Sequence, residues 1–371
     1  MKIRQLITFV VCVYISSVLG LAQSGGETGW TFAVSGDSRN CGDVIMPAIA
    51  QGVHRDGAAF YWHLGDFRAI YDFDQDYHML HPKASISAYE QDAWLDFIRH
   101  QLTPFGNIPV YLGIGNHETI PPKTRAEAIQ TFADWFDNST IQSQRLADDP
   151  VNHTVQTYYH WIKLPVDFIT LDNASDDMFD DAQVTWFEQE LKRAAENKEV
   201  RSLVIGMHRA LPDSLSSGHS MNDSAQQLAS GRRVYRDLMR FKTTTGKNVY
   251  ILASHSHFYM GNVYNTECRR LHPETILPGW IIGTAGAVRY ELPKNLNGAV
   301  KPQNELYGYL LGRVHQNGEI QFEFRPIDKQ LSVIPDSVRT EFTDQFVQGC
   351  LKENHTNYQV EGPPEPPNCT Q

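Results

Sequence analysis

Five short polar blocks, each directly after an apolar run of strand length, most constrain what this 371-residue chain can fold into. The blocks are Gly36-Asp37-Ser38-Arg39, Gly65-Asp66, Gly115-Asn116-His117-Glu118, Gly206-Met207-His208 and Ser254-His255-Ser256-His257. Open α/β sheets build their sites at the carboxyl ends of strands, and glycine permits the sharp turns that such ends need. The sequence therefore predicts a sheet whose carboxyl edge collects these blocks.

Apolar runs alternate with amphipathic segments over much of the chain, which is the pattern of an α/β domain. Strands are predicted at 30–35, 58–64, 108–114, 166–172, 200–206 and 248–254. The helical spacing of apolar residues predicts helices over 88–102 and 181–197. The later runs 279–284, 306–314 and 318–325, the last two separated by an Asn317-Gly318 turn, predict a second sheet in the same domain.

The ends of the chain differ in composition from the predicted domain, which we place at 30–330. Lys2 and Arg4 precede an apolar stretch, so residues 1–22 are expected to form a signal peptide that is cleaved after Ala22. A membrane anchor is the alternative, although the stretch is short for a bilayer span of about 20 residues. Proline pairs in 348–371 predict an extended or disordered tail.

Charge and cysteine content bound the class of protein. The formal net charge is −11, and removal of the signal peptide makes the chain more acidic, which argues against a nucleic-acid-binding surface built on phosphate contacts. Export predicts a secreted or periplasmic location without a membrane span after cleavage, and disulfides among the remaining cysteines. Those are Cys41, Cys268, Cys350 and Cys369, which can pair in three ways. A Cys350–Cys369 bridge is expected, and the oligomeric state stays open.

The five blocks together supply enough candidate ligands for two metal ions. These are two aspartates, one asparagine and three histidines: Asp37, Asp66, Asn116, His208, His255 and His257. Taken singly, a Gly-Asp pair is usually a turn and a lone histidine is usually a hydrogen-bonded core residue. Their joint occurrence, each at a strand end, favours a collective site. Mixed oxygen and imidazole donors suit Zn, Mn or Fe.

The order of these blocks resembles that of the calcineurin-like metallophosphoesterase family over roughly residues 30–290, and Gly115-Asn116-His117-Glu118 is the most specific match. The resemblance implies a four-layer α-β-β-α sandwich. It implies that Asp66 bridges two metals, and it assigns the other ligands in two sets. One set is Asn116, His208 and His255, and the other is Asp37 and His257. It also implies that His117 acts on the leaving group and that Glu118 supports the same motif.

The chemistry implied by the resemblance is hydrolysis of a phosphate monoester or diester by a metal-bound hydroxide. Two ions about 3.5–4 Å apart lower the pKa of a water and stabilise the charge of in-line displacement. The substrate would be a small or macromolecular phosphoester, with Arg39 and Asn116 as substrate-binding residues. The segments 67–90 and 210–224 are candidate substrate loops, and a solvated polar loop is the simpler interpretation of the first.

Arg39 departs from the family pattern, because it stands where the first block usually carries a histidine ligand. Arginine has no lone pair with which to bind a metal. The ion served by Asp37 and His257 is therefore expected to bind weakly or be lost. Arg39 either binds substrate phosphate through a fixed charge, which we favour and which makes it a candidate catalytic residue, or forms a surface ion pair.

Two further expectations depend on these departures. Purple acid phosphatases, a branch of the family, use a tyrosine at the position of Ala69, so the chain is not expected to belong to that branch in the strict sense. If the Asp37 half of the site is degraded, the alternative function is a non-catalytic metal- or ligand-binding protein that retains the fold.

Overall fold

The computed structural model describes residues 28–174 and 178–364. Its α-helices are α1 Gly42–Arg55, α2 Gln75–Leu80, α3 Ile86–Phe97, α4 Arg125–Thr131, α5 Ala133–Phe136, α6 Ser139–Asp148, α7 Asp181–Glu196, α8 Ala225–Thr245, α9 Glu267–Arg270, α10 Asp336–Glu341 and α11 Asp344–Lys352. Capping residues define both ends of the longest helix, α8. The Ser224 side chain accepts a hydrogen bond from the Gln227 backbone at the start of α8, and Gly246 ends that helix in the left-handed region at φ 72°.

The first sheet has five strands in the order β13-β12-β1-β2-β3. Its strands are β1 Thr28–Ser35, β2 Tyr61–Leu64, β3 Val110–Gly113, β12 Gly308–His315 and β13 Ile320–Pro326. β1, β2 and β3 run parallel, whereas β12 pairs antiparallel with β1. The carboxyl ends of β1, β2 and β3 therefore lie side by side at one edge.

The second sheet has seven strands in the order β11-β8-β9-β7-β6-β5-β4. These are β4 Tyr159–Lys163, β5 Val166–Thr170, β6 Ser202–Gly206, β7 Asn248–Ala253, β8 Tyr259–Gly261, β9 Gly279–Ile282 and β11 Val300–Gln303. A separate pair is formed by β10 Arg289–Glu291 and β14 His355–Gln359. β5, β6, β7 and β9 are parallel, so this sheet also presents a carboxyl edge.

Aromatic side chains fill the space between the two sheets. Trp161 of the second sheet stacks on Tyr111 of the first at a centroid distance of 3.9 Å, and it packs edge-on against Trp62 at 5.1 Å. Phe168 packs on Phe32 at 5.0 Å. Helices α1 and α3 share a buried core with the first sheet, and α7 and α8 share one with the second. The result is the four-layer α-β-β-α sandwich that the resemblance implied.

The structure corrects two expectations about the later part of the chain. The runs after Gly279 do not form a sheet of their own, because β9 joins β7 in the second sheet while β12 and β13 return to β1. From Gln348 the chain is not a plain tail, since α11 continues to Lys352 and β14 pairs with β10. Of the proline pairs, Pro363-Pro364 lies in the described part of the chain, beyond these two elements.

The expected disulfide is wrong, because Cys350 pairs with Cys41, with their Cα atoms 5.7 Å apart. The bridge joins the start of α1 to α11 across 309 residues of sequence, a pairing that spacing alone could not identify. Cys268 is also disulfide-bonded. The signal-peptide residues 1–22 lie outside the described part of the chain, and among the described residues no helix is both long and apolar enough to cross a membrane.

Candidate metal centre

The five polar blocks meet where the carboxyl edges of the two sheets come together. Backbone hydrogen bonds join the end of β1 to the end of β9, with the Gly36 N–H 3.0 Å from the Ile282 carbonyl. Three residues here have left-handed backbones, Asp37 at φ 60°, Asp66 at φ 61° and His255 at φ 66°. Each such conformation costs about 1–3 kcal/mol in a non-glycine residue and is retained mainly at functional sites. Three of the eight non-glycine residues with a positive φ in the described part of the chain are therefore candidate ligands.

Asp66, Asn116, His208 and His255 form one converging group of ligand atoms. Nε2 of His208 lies 3.1 Å from Oδ1 of Asn116, 3.0 Å from Nδ1 of His255 and 3.3 Å from Oδ1 of Asp66. Nδ1 of His208 lies 3.0 Å from the Leu64 carbonyl, which can only accept, so Nδ1 carries a proton and Nε2 is the nitrogen that would bind a metal ion once its own proton is lost. One proton cannot form hydrogen bonds to all four of these ligand atoms, whereas one metal ion can bind all four.

The electrostatics of this first group also favour a bound cation. Burial alone would lower the pKa of His208, but the charge of Asp66 outweighs burial and raises that pKa to about 9. Burial would raise the pKa of Asp66, yet His117, His208 and Arg39 hold it well below its usual range. The carboxylate is therefore ionised in a fully buried position, and positive charge beside it is stabilised.

Asp37, Asp66 and His257 form the second group. Nδ1 of His257 donates to the Val288 carbonyl at 2.7 Å, which leaves Nε2 facing Oδ1 of Asp37 at 3.3 Å. Oδ1 of Asp37 and Oδ2 of Asp66 are buried without a hydrogen-bond partner. Oδ2 of Asp37 instead accepts from the backbone N–H of His255 at 2.7 Å, which ties the first block to the last.

Arg39 inserts its guanidinium beside this second group and is only 8% exposed. Nη1 lies 2.6 Å from Nε2 of His117, and Nη2 lies 3.0 Å from Nε2 of His257. Nε lies 3.8 Å from Oδ2 of Asp66. The surface ion-pair interpretation of Arg39 is therefore wrong. The side chain supplies a buried positive charge and donates to the lone pair that His257 would otherwise offer to a metal.

His117 contacts Arg39 and supports Asp66 at the same time. Its Nδ1 donates to the Ala69 carbonyl at 2.6 Å, so Nε2 is the nitrogen that accepts from Arg39. Its backbone N–H donates to Oδ1 of Asp66 at 3.1 Å. Burial and the neighbouring Arg39 lower the pKa of the imidazole to about 4, against the attraction of Asp66. His117 is therefore neutral near pH 7, with its Nε2 lone pair turned toward the guanidinium.

Glu118 fixes the loops that carry the ligands. Its carboxylate accepts from the backbone N–H groups of Asp66 at 2.9 Å, Phe67 at 2.9 Å and Gly115 at 2.6 Å. Burial, together with the charge of Asp66, raises the pKa of Glu118 to about 8. The geometry of this residue fits the supporting role that the motif implied.

Sequence reasoning missed Asn173 and His63, which orient ligands without carrying a motif. Oδ1 of Asn173 accepts from the backbone N–H groups of His208 at 3.1 Å and Arg209 at 3.0 Å. Nε2 of His63 lies 3.0 Å from Oγ of Ser38, in the first block. Only the position of Asn173 just after β5, at the same carboxyl edge, could have pointed to it.

Both candidate substrate loops reach the candidate centre, but the first is more buried than its polar sequence predicts. In the segment 67–90, Tyr71 is 61% exposed next to His117, but Arg68, Asp74 and Asp76 are fully buried, so a solvated polar loop is wrong over that part. In the segment 210–224, His219 packs on His255 with ring centroids 4.8 Å apart. Tyr71 and His219 thus lie on the rim of the candidate centre.

The architecture is similar to that of solved phosphatase structures. The chain aligns with purple acid phosphatase PPD1 from yellow lupin (Lupinus luteus) seeds at a TM-score of 0.53 and 16% identity, over 80% of this chain and 51% of the lupin chain. This likeness shows that the two chains share a fold. The chain spans about half the length of the lupin enzyme.

A second solved structure, PhoD, aligns at a TM-score of 0.48 and 14% identity, over 81% of this chain and 71% of PhoD. No protein-family model matches the chain, and no curated protein sequence is significantly similar to it. At 16% identity the likeness to the lupin enzyme concerns the fold alone.

Proposed function

We propose that this protein is an exported, metal-dependent phosphoesterase that hydrolyses phosphate monoesters or diesters. The observation that carries the proposal is the convergence of Asp66, Asn116, His208 and His255 beside a buried arginine, in a metallophosphoesterase fold. The Cys41–Cys350 disulfide supports export, because such bonds persist in oxidising compartments. These four residues would hold the metal ion, as Zn²⁺, Mn²⁺ or an iron ion.

A metal ion at these residues would supply Lewis acidity, lowering the pKa of a water and polarising a phosphoryl oxygen. The chain supplies the rest. Asp66 is ionised, and the backbone N–H of His117 holds its carboxylate in place, so this carboxylate would be a ligand of the metal ion. Besides the contacts with His117 and His257, Nη1 and Nη2 of Arg39 make only long contacts of 3.4 Å with the hydroxyls of Tyr71 and Tyr290, which a phosphoryl group would replace. Guanidinium geometry matches two oxygens of such a group. Arg39 would therefore bind the non-bridging oxygens of the phosphoryl group.

Tyr71 and Tyr290 flank the guanidinium, each with its hydroxyl 3.4 Å from Arg39. The ring of Tyr290 stacks on His257 at a centroid distance of 3.9 Å, so one wall of the approach to Arg39 is aromatic. A hydrophobic leaving group, such as that of an aryl phosphate, would fit this wall. Aryl phosphates are therefore the first substrates to test.

The experiment is to purify the chain without residues 1–22, remove metal with a chelator, and reload it separately with Zn²⁺, Mn²⁺ and Fe²⁺. Hydrolysis of aryl phosphate monoesters and diesters is expected with at least one metal. His208→Ala should lose both the metal and the activity. The matched control is His272→Ala, since His272 is 72% exposed and lies outside the candidate centre.

A non-catalytic binding protein is the second candidate, and Arg39 favours it because the guanidinium already contacts His257 in the second ligand group. Reloaded protein that binds one equivalent of metal but hydrolyses no member of a broad phosphoester panel would support this alternative. Turnover that depends on metal and is lost in Arg39→Ala would reject it.

A further inference from the structure

A second set of metal-ligating atoms lies under α1 and α3, away from the edge where the five blocks meet. At its centre Arg68 is fully buried among four buried aspartates, Asp43, Asp74, Asp76 and Asp96. The guanidinium lies 2.7 Å from Asp43, 3.1 Å from Asp76 and 3.6 Å from Asp74, and it also contacts Asp96. Four carboxylates thus surround one arginine, and an unpaired buried charge is costly.

Arg68 uses only one oxygen of Asp43 and one of Asp96. The remaining oxygens, Oδ2 of Asp43 and Oδ1 of Asp96, are buried and accept no hydrogen bond. Both face Nδ1 of His100, at 3.7 Å from Asp43 and 2.8 Å from Asp96. At 2.8 Å a protonated Nδ1 forms an i,i+4 ion pair with Asp96, whereas Oδ2 of Asp43, at 3.7 Å, lies beyond hydrogen-bond distance. Three potential metal-ligating atoms therefore lie close together, and a proton on Nδ1 of His100 would satisfy Asp96 but not Asp43.

The backbone places His100 for this arrangement. α3 ends at Phe97 and continues as a π-helical turn over Ile98–Leu102. Such turns are rare and occur often at functional sites. His100 follows Asp96 by four residues, so both side chains face α1. The same turn brings in Gln101, whose Nε2 donates to Oδ1 of Asp43 at 2.9 Å while its own Oε1 is buried without a partner.

We propose that Asp43, Asp96 and His100 form a second metal site, for a divalent cation of the Zn²⁺ type. Two carboxylate oxygens and one imidazole nitrogen are a normal Zn²⁺ donor set, with bonds of roughly 2.0–2.2 Å. Ligand atoms around such an ion lie roughly 3.3 Å apart, a value between the two distances from His100. Arg68 and Gln101 hold the non-ligating carboxylate oxygens, and Nε2 of His100 lies 3.3 Å from Glu341, the carboxylate–histidine–metal pattern of known sites.

Charge and access support this site. Four carboxylates surround one guanidinium, which leaves the cluster with surplus negative charge when His100 is neutral. The cluster therefore stabilises added positive charge. His100 is 11% exposed at its side chain, which gives an ion a route from the surface.

The site would stabilise the first block of the candidate centre from behind. The backbone N–H of Asn40, next to Arg39, donates to Asp74 at 2.5 Å, and Asp74 belongs to the Arg68 cluster. α1, which carries Asp43, begins directly after the Cys41–Cys350 disulfide. The inference rests on these contacts and is independent of the proposed function.

Elemental analysis of chelator-treated protein reloaded with Zn²⁺ alone, then dialysed, tests the site. His100→Ala should bind about one equivalent less than wild type, whereas the control His78→Ala, an exposed histidine of α2, should bind as much. The variant should also unfold at a lower temperature than wild type in Zn²⁺, with that difference reduced in chelator. An unchanged Zn²⁺ content in folded His100→Ala would overturn the proposal in favour of a protonated His100 paired with the two carboxylates.

His208→Ala separates the two sites, because it removes a ligand of the candidate centre only. In this background the equivalent that depends on His100 should remain, and anomalous scattering at the zinc edge should place it between Asp43 and Asp96. Loss of phosphoester hydrolysis in His208→Ala with that peak retained would test the proposed function without affecting this one. If His100→Ala does not fold, Asp96→Asn replaces it, since the amide keeps the shape but weakens the ligand, and absence of the anomalous peak in wild type remains decisive against the site.

Discussion

Nη1 of Arg39 donates a hydrogen bond to Nε2 of His117 across 2.6 Å, so the two residues from the first and third blocks act as one unit. Because the other nitrogen of His117 donates to the Ala69 carbonyl, the imidazole keeps no proton on the side that faces Arg39. A fixed positive charge therefore lies beside the second ligand group, where metallophosphoesterase chemistry would use a second ion. The expected effects of changing either residue follow from this contact.

Arg39→His should raise the metal content of the reloaded protein by about one equivalent, the number expected for a second ion of a two-metal site. The change removes the donor to Nε2 of His257 and frees that lone pair beside Asp37. Elemental analysis measures the gain. The control is Arg240→His, at a position where the arginine side chain is 74% exposed. Equal metal content in Arg39→His and wild type would show that Arg39 does not occupy a ligand position.

His117→Ala should reduce hydrolysis about 10²–10³-fold, the usual loss for one transition-state donor or its support, while the metal stays bound. His117→Gln should restore part of the rate, because a glutamine oxygen can accept from Arg39. The measurement is kcat for a series of aryl phosphates with leaving groups of different acidity. A similar loss for every member fits positioning of Arg39. A loss that grows as the leaving group becomes more basic would instead assign proton donation to His117.

Gly115→Ala should disrupt the candidate centre while leaving the fold intact. A Cβ at this position would overlap Oδ1 of Asp66 and lie 2.8 Å from Cε1 of His208, so the ligands would have to separate. Elemental analysis should show loss of metal, and circular dichroism should be unchanged. Gly349→Ala is the matched control, because nothing lies within 4 Å of a Cβ there, in helix α11, and it should stabilise the protein by about 0.5–1 kcal/mol.

His160 should make stability fall as the pH rises above 7. It lies 2.9 Å from Asp167, 2.7 Å from Asp148 and 3.1 Å from Glu190. Burial lowers the pKa of His160, but these carboxylates outweigh burial and hold it well above its usual value, while burial raises the pKa of Glu190 to about 7. The stabilisation by His160 is fully present below its ordinary pKa of 6.5 and is lost as the pH rises toward its raised folded-state pKa. The raised pKa of Glu190 acts earlier, because it makes stability fall between about pH 4.5 and pH 7.

The measurement for this cluster is urea unfolding of wild type and His160→Gln between pH 5 and pH 10. The variant should be less stable by about 3 kcal/mol near pH 5, the loss typical of removing one partner from a buried charged group. The difference should shrink as the pH rises above 7. A difference that is constant with pH would indicate a packing effect and contradict the charged role of His160.

The sequence located most strands and the edge where the site lies, because runs such as Leu203–Gly206 carry local signals of burial and turn. It could not reveal what depends on distant parts of the chain. The partner of Cys350 lies 309 residues away. Arg39 was recognised as an exception, but its contacts with His117 and His257 come from two other strand ends.

Buried charge was the other failure of sequence reasoning. The sequence predicts that Arg68 and Asp76 belong to a solvated loop, because charged residues are rarely fully buried. Their burial is possible because the guanidinium of Arg68 pairs with Asp76 and also with Asp43 of α1 and Asp96 of α3. No local sequence pattern predicts a cluster that is assembled from three separate segments of the chain.

The antiparallel pairing of β12 with β1 has a consequence for biosynthesis. During synthesis the chain emerges from the ribosome in order, so β1 has an open edge until Gly308–His315 has been made, long after the last ligand, His257, has appeared. An unpaired strand edge invites association with other chains. A fragment truncated just after His257 would therefore be expected to aggregate, although it carries every proposed metal ligand of the candidate centre.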